Sequence, residues 1–212
     1  MALKIIPILL LLTGAVYISM IVIHSKIKLK DHIWEPKIFL YQEKIGSYEH
    51  LDKLLDSIEE DLSSLNMKKD TFASIQYDKP LDHVDQAGLR SVIGVLVNSA
   101  EEKLAKDFVQ KNKNYKLVNL SDIKSITCGR FPYPDLRYTL WLDYFVLPKA
   151  WEYGERNWIF TKENTTAIIN VFHRVDQNKK YEIETLIPYG KNKDQLLLST
   201  ASKPSVKQTD EL

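Results

Sequence analysis

The sequence predicts an α+β domain made from a strand–helix–strand–strand unit used twice. The strands form one antiparallel sheet with the helices on one face, and one transmembrane helix precedes them. Three observations carry this reading. The order strand, helix, strand, strand recurs with corresponding elements offset by about ninety residues. Two segments place apolar residues at helical spacing. Ile5 to Ile23 is a run of residues without a formal charge, about as long as a helix that crosses ~30 Å of hydrocarbon.

Residues 5–23 read as a membrane anchor. The alternatives are a cleaved signal peptide, whose apolar core is shorter and ends at small residues, and a buried core helix, whose flanks would be amphipathic. Residues 24–37 read as a juxtamembrane linker with Lys26, Lys28 and Lys30. Residues 38–190 hold the folded domain, and 191–212 read as a flexible polar tail. Ile38 to Ile45 is the first strand. Ser47 is placed to cap a helix running to Leu65, with Leu51, Leu54, Leu55, Ile58, Leu62 and Leu65 on one stripe. Strands are expected at 72–77 and 89–97, the second rich in valine.

The second unit repeats this plan. A helix over 100–111 connects the units. Residues 115–120 and 123–131 are extended. Pro134 suits the first turn of a helix carrying Leu136, Leu140, Tyr144 and Leu147 on one stripe and continuing to Glu155. The last strands are expected at 166–174 and 181–189. The helices lie on one face, and the other face or the seam between units forms a groove.

Several functions are excluded or disfavoured by composition. The net charge is +1, which leaves no electrostatic footprint for direct nucleic-acid binding. Cys128 is the only cysteine, so there is no intrachain disulfide and no cysteine-rich zinc site. No Gly-x-Ser-x-Gly elbow, P-loop or dinucleotide fingerprint occurs, and no cofactor is expected. Asp82, His83 and Asp85 share a turn and read as a solvated loop rather than a metal site.

Topology is read from two opposed sets of residues. Lysines crowd the C-terminal flank of the apolar run, which places the domain in the cytosol. Asn119-Leu-Ser and Asn164-Thr-Thr are glycosylation sequons, and the chain ends Thr-Asp-Glu-Leu, close to a lumenal retrieval signal. A cytosolic domain is the expectation and a lumenal one the alternative.

The two-fold strand–helix–strand–strand plan resembles the GyrI-like, or effector-binding, domain. Phe131-Pro-Tyr133, Trp141-Leu142, Val146, Pro148, Tyr153 and Glu155-Arg156 are similar in order and spacing to the testis-expressed protein 264 family. So are Arg90, Gly94 and Tyr77-Asp78. That family also carries an N-terminal membrane helix before a GyrI-like domain, and the resemblance spans about residues 5–190. It implies a single-pass protein of the endoplasmic reticulum membrane that acts as an adaptor rather than an enzyme. The implied partners are an autophagy modifier, in reticulophagy, and a AAA unfoldase.

The resemblance fails at the tail, which is short and has no aromatic residue for an autophagy-receptor motif. Tyr48 to Leu51, Tyr115 to Val118 and Tyr144 to Leu147 fit the loose aromatic-x-x-aliphatic pattern but read as core.

Bacterial GyrI-like domains hold a carboxylate in a groove, four residues before a proline of the last strand. Here that position is Glu184, before Pro188. With Trp141, Tyr133 and Tyr144 around it, Glu184 would hold a small hydrophobic or cationic ligand by charge and ring faces. In a weakly hydrolytic variant of this reading, Glu184 acts as a base.

Overall fold

The computed structural model describes residues 14, 27–36, 38–47, 51–63, 65, 67, 71–78, 86–133, 142–160, 167–176 and 181–198. Among them no helix is long and apolar enough to cross a membrane. The anchor expected at 5–23 lies, apart from Gly14, outside the described residues.

Eight strands form one antiparallel sheet. In chain order they are β1 (Lys30–Trp34), β2 (Ile38–Ile45), β3 (Thr71–Gln76), β4 (Arg90–Val97), β5 (Lys116–Asn119), β6 (Ile123–Tyr133), β7 (Ile168–Arg174) and β8 (Tyr181–Pro188). Among the described residues three α-helices accompany them: α1 (Leu51–Asp61), α2 (Glu102–Lys111) and α3 (Leu147–Arg156). A π-helical turn over Leu142–Val146 leads into α3. The strand order is β1-β6-β8-β7-β3-β4-β2-β5. The duplication is visible in that order. β4 lies between β2 and β3 as β8 lies between β6 and β7, and the units join where β3 pairs with β7. Ala73 faces Val171 at this seam.

Both faces of the sheet are buried. On one, Leu55, Ile58 and Leu62 of α1 and its C-terminal turn pack with Phe108 of α2, Leu147 and Ala150 of α3, and Leu40, Phe72, Ile93 and Phe172 of the strands. All three helices contribute to this cluster, as the apolar stripes require. Each fully buried leucine or isoleucine contributes about 1.5–3 kcal/mol of transfer free energy, as an upper bound. Arg174 of β7 donates to Glu59, tying the sheet to α1. The other face gathers Phe39, Ile75, Val92, Ile169 and Leu186. Continuous burial on both sides explains the apolar runs of β4 and β7, the latter interrupted only by the buried Asn170.

The sheet is strongly curled. β1 and β2 are six strand positions apart, an arc of ~29 Å at ~4.8 Å per strand. Yet only residues 35–37 connect Trp34 to Ile38, and four residue steps span at most ~15 Å. Residues 120–122 impose the same limit between β5 and β6. Trp34 pairs with Ile123 and Ile38 with Asn119, so both connections meet at one corner.

Two segments differ from the sequence reading. The expected linker 24–37 contributes β1, an edge strand paired with β6. Of its five residues only Trp34 is buried, so no alternation announces it. The expected tail 191–212 begins with a 3₁₀ segment, Lys191–Leu196, whose Leu196 is fully buried. Tyr77 donates its hydroxyl proton to the Leu196 carbonyl at 2.7 Å. Asn192 donates to Asp122 O, and the Ser121 N–H donates to Gln195 Oε1.

Candidate functional site

Glu184 lies mid-way along β8 with only 8% of its surface exposed. Its strand neighbours Ile183 and Ile187 point to the helices, so Glu184 projects from the other face. Burying a carboxylate there is unfavourable unless it is paired.

A β-bulge in β6 supplies the partners. Thr127 is opposite Leu186 and Arg130 is opposite Glu184, so β6 spends one residue more than β8 over this interval. Residues three apart on a regular strand point to opposite faces. The extra residue brings Thr127 and Arg130 to the same face. Gly129 makes the bulge possible with φ +105°, a conformation that a side chain disfavours. Thr127 donates from Oγ1 to Glu184 Oε1 at 2.9 Å. Arg130 donates from Nε to Oε2 at 3.1 Å. His173 of β7 reaches Oε2 from Nε2 at 2.9 Å.

These bonds set the protonation states. The hydrogen bond from His173 is the largest influence on the Glu184 carboxyl. Burial opposes it, and Thr127 and the Arg130 charge add to it, holding the carboxyl down at about 2. Glu184 is therefore ionised and accepts only, which requires the proton on His173 Nε2. The cluster presents Arg130, 54% exposed at its side chain, and His173, 27% exposed, to solvent. Its outward chemistry is led by the Arg130 guanidinium, a cation and hydrogen-bond donor, with the carboxylate beneath.

The cluster breaks the two-fold repeat. One cross-strand row runs Arg130, Glu184, Val171, Ala73, Gly94, Tyr41 and Lys116. About the β3–β7 seam, Glu184 corresponds to Gly94 and Arg130 to Tyr41. Only the second unit carries the charged site.

The structure places Tyr133 apart from Glu184. Tyr133 packs edge-on against Phe172 at 5.2 Å, on the helix side of the sheet and away from Glu184. Tyr144 is 61% exposed on the π-helical turn. The expected aromatic cage around Glu184 is thus not assembled from these two tyrosines. The physical reason is strand parity: Tyr133 is an odd number of residues past Arg130 and faces the opposite way. Trp141 and Asn164 lie outside the described residues, as do Asp82, His83 and Asp85. Asn119 is exposed at the end of edge strand β5. Among the described residues no cluster of His, Cys, Asp or Glu could hold a metal ion.

Cys128 is fully buried, and desolvation raises its thiol to about 12, so it is a poor nucleophile. Tyr115 is buried, accepts from Gln42 and donates to Asp61, so Tyr115 to Val118 offers no free aromatic. Leu147 of the Tyr144 segment is buried in the first turn of α3.

Arg130, His173 and Thr127 escaped the sequence reading. One signal was present: Gly129 is an isolated glycine inside a strand, and such a glycine marks a bulge that switches the facing of the residues beyond it.

Solved structures share this fold. A crystal structure of a hydrolase from Listeria innocua matches with a TM-score of 0.50 at 12% identity, over 78% of this chain and 93% of that chain. A structure of an uncharacterized conserved protein from Listeria innocua matches with a TM-score of 0.50 at 11% identity, over 78% and 93%. EcmrR, in a cryo-electron microscopy structure of its DNA complex, matches with a TM-score of 0.53 at 15% identity, over 82% of this chain and 64% of that chain. No protein-family model and no curated protein match the sequence. The eight-stranded antiparallel sheet with its helices is consistent with the GyrI-like fold.

Proposed function

We propose that the domain is a small-ligand-binding module of the effector-binding type, acting by binding rather than by catalysis. The observation that carries this is the buried Glu184 carboxylate with Thr127, Arg130 and His173 converging on it in only one of two otherwise matching units. A structural scaffold needs no such departure from its own repeat. The fold shared with EcmrR, consistent with the GyrI-like effector-binding plan, supports the reading. The charge balance of this chain argues against direct contact with nucleic acid.

The cluster also indicates which ligand end it meets. A bare carboxylate would take a cation, but the Arg130 guanidinium already neutralises Glu184 and His173 occupies one of its oxygens. A ligand therefore meets the outward N–H groups of Arg130 first, and an acidic or hydrogen-bond-accepting head suits them. The test is a binding titration of matched amphiphiles with carboxylate or quaternary ammonium heads. Arg130→Ala weakens the carboxylate ligand at least about tenfold, the loss expected from one charged hydrogen bond. If Arg130→Ala instead strengthens the ammonium ligand, the carboxylate is the recognition element and the acidic-head reading fails. If neither head binds natively, the module is not a binder of this class.

A second reading keeps the module as an adaptor at the endoplasmic reticulum membrane, with the domain in the cytosol. The apolar run 5–23, the flanking lysines and the resemblance to the testis-expressed protein 264 family favour it. An autophagy modifier and a AAA unfoldase are the partners that it implies. Glycosidase sensitivity at Asn119 and Asn164 in microsomes tests the topology. An unglycosylated domain digested from outside the vesicle agrees with it, and a glycosylated, protected one overturns it.

A further inference from the structure

Trp158 is 95% exposed and holds φ +57°. It sits where α3 ends in a left-handed turn. The Asn157 N–H donates to the Tyr153 carbonyl, and the Ile159 N–H reaches back to the Gly154 carbonyl. This turn position favours glycine because a Cβ is disfavoured there. Here it carries the bulkiest side chain, and that side chain buries almost nothing. The indole is held outward at a conformational cost that its own packing does not offset.

The surface beside it has a defined composition. Phe160 lies two residues further on and packs 6.5 Å from Tyr189. Tyr189 donates its N–H to the Lys124 carbonyl and its hydroxyl proton to Asp31. Lys124 faces Ile33 across β1 and β6, and Ile33 is 58% exposed. Phe160 is buried beneath this flank, Tyr189 is half-buried, and Trp158, Lys124 and Ile33 are its exposed side chains. Exposed indole, aliphatic carbon and lysine together match the interfacial zone of a bilayer, where tryptophan concentrates and lysine meets anionic headgroups.

We propose that this flank, with Trp158 as its point of insertion, is a lipid-contact surface that lays the domain against the bilayer. This rests on reading 5–23 as an uncleaved anchor. Ile23 and Asp31 are eight residue steps apart, at most ~29 Å of chain. The Asp31–Tyr189 side therefore stays within reach of the membrane. A tether of this length holds the flank at an effective concentration near the millimolar range, so a weak contact suffices. Trp158 belongs to the helix side of the sheet and Glu184 to the other. In this posture the Glu184 cluster faces away from the lipid.

The test uses the full chain in phosphatidylcholine–phosphatidylserine vesicles, with and without lipids brominated near the ester end of the acyl chain. In a chain whose only tryptophan is Trp158 (Trp34→Phe, Trp141→Phe, Trp151→Phe), emission shifts to the blue and falls roughly twofold with brominated lipid. In the otherwise native chain, Trp158→Phe removes most of the bromine quenching, which checks the result without the triple substitution. A chain that floats with vesicles but whose Trp158 emission is unchanged overturns the contact and leaves the anchor standing. A chain that does not float overturns the anchor and the contact together.

Discussion

His173 Nε2 and Glu184 Oε2 meet at 2.9 Å across the β7–β8 pair, the imidazole donating to a carboxylate that Thr127 and Arg130 also hold. The Glu184 carboxyl titrates at about 2 in the folded chain, below its ordinary value of 4.5. A depressed carboxyl stabilises the fold fully above that ordinary value and loses the contribution as pH falls toward about 2. Glu184→Gln is therefore expected to lower stability by about 2 kcal/mol at pH 6, the size of its lost charged hydrogen bonds. The gap to the native chain should close between pH 4.5 and about 2. Urea titrations at several pH values check this, and a gap constant with pH would contradict it.

The bulge at Gly129 is the local device that builds the site. Gly129→Ala places a Cβ on a residue at φ +105° and is expected to cost about 1–3 kcal/mol. Gly129→Asn should cost less, because asparagine tolerates positive φ better. Thermal unfolding of the two variants side by side checks the order. Titrating both with the carboxylate amphiphile, beside Arg130→Ala, then reports whether the bulge acts through Arg130.

Gly94 crosses β2 at close range. A Cβ there would lie 1.9 Å from the Leu40 carbonyl oxygen and 2.6 Å from the Tyr41 Cα. Both are backbone atoms and cannot swing aside. Gly94→Ala is expected to destabilise by more than about 2 kcal/mol, beyond ordinary overpacking. A chain that expresses and melts within a few degrees of the native one would refute this.

Asp78 and Arg90 close the loop between β3 and β4. Arg90 donates from Nε and Nη2 to the two Asp78 oxygens at 2.9 and 2.8 Å, and the Arg90 N–H adds a third bond at 2.7 Å. Both side chains are mostly buried, at 17% and 11% exposure. Arg90→Lys keeps the charge but loses the planar fork, at an expected cost of about 1–2 kcal/mol. Chemical denaturation at low and high salt checks it: the cost should be largely independent of salt, whereas an exposed pair would weaken as salt is added.

The duplicated architecture was legible because helical stripes and valine-rich runs are periodic signals. Leu55, Ile58 and Leu62 are buried together as their spacing requires, and β2, β4 and β8 fall within a residue of their expected limits. β1 and the 191–196 segment were not legible. Each is fixed by one buried side chain, Trp34 or Leu196, and by main-chain bonds that leave no pattern in composition. Glu184 was found through the Pro188 landmark. Its partners were not, because a bulge reverses the facing of every later residue in β6, and Tyr133, expected beside Glu184, faces the helices. His173 has an ordinary strand position, and only the register of β7 against β8 gives it a role.

The corner where Trp34, Ile38, Asn119 and Ile123 meet has a mechanical meaning. Two covalent struts, residues 35–37 and 120–122, bridge the margins of the curled sheet. Flattening the sheet is thus a rupture rather than a bend, since at least one strand pairing has to break first. Tension arriving from the N-terminal side loads β1 and its β6 seam before it reaches the strut to β2. The domain is expected to behave as a hoop with a sacrificial first link. Force peels β1 while the ring that carries Glu184 keeps its shape.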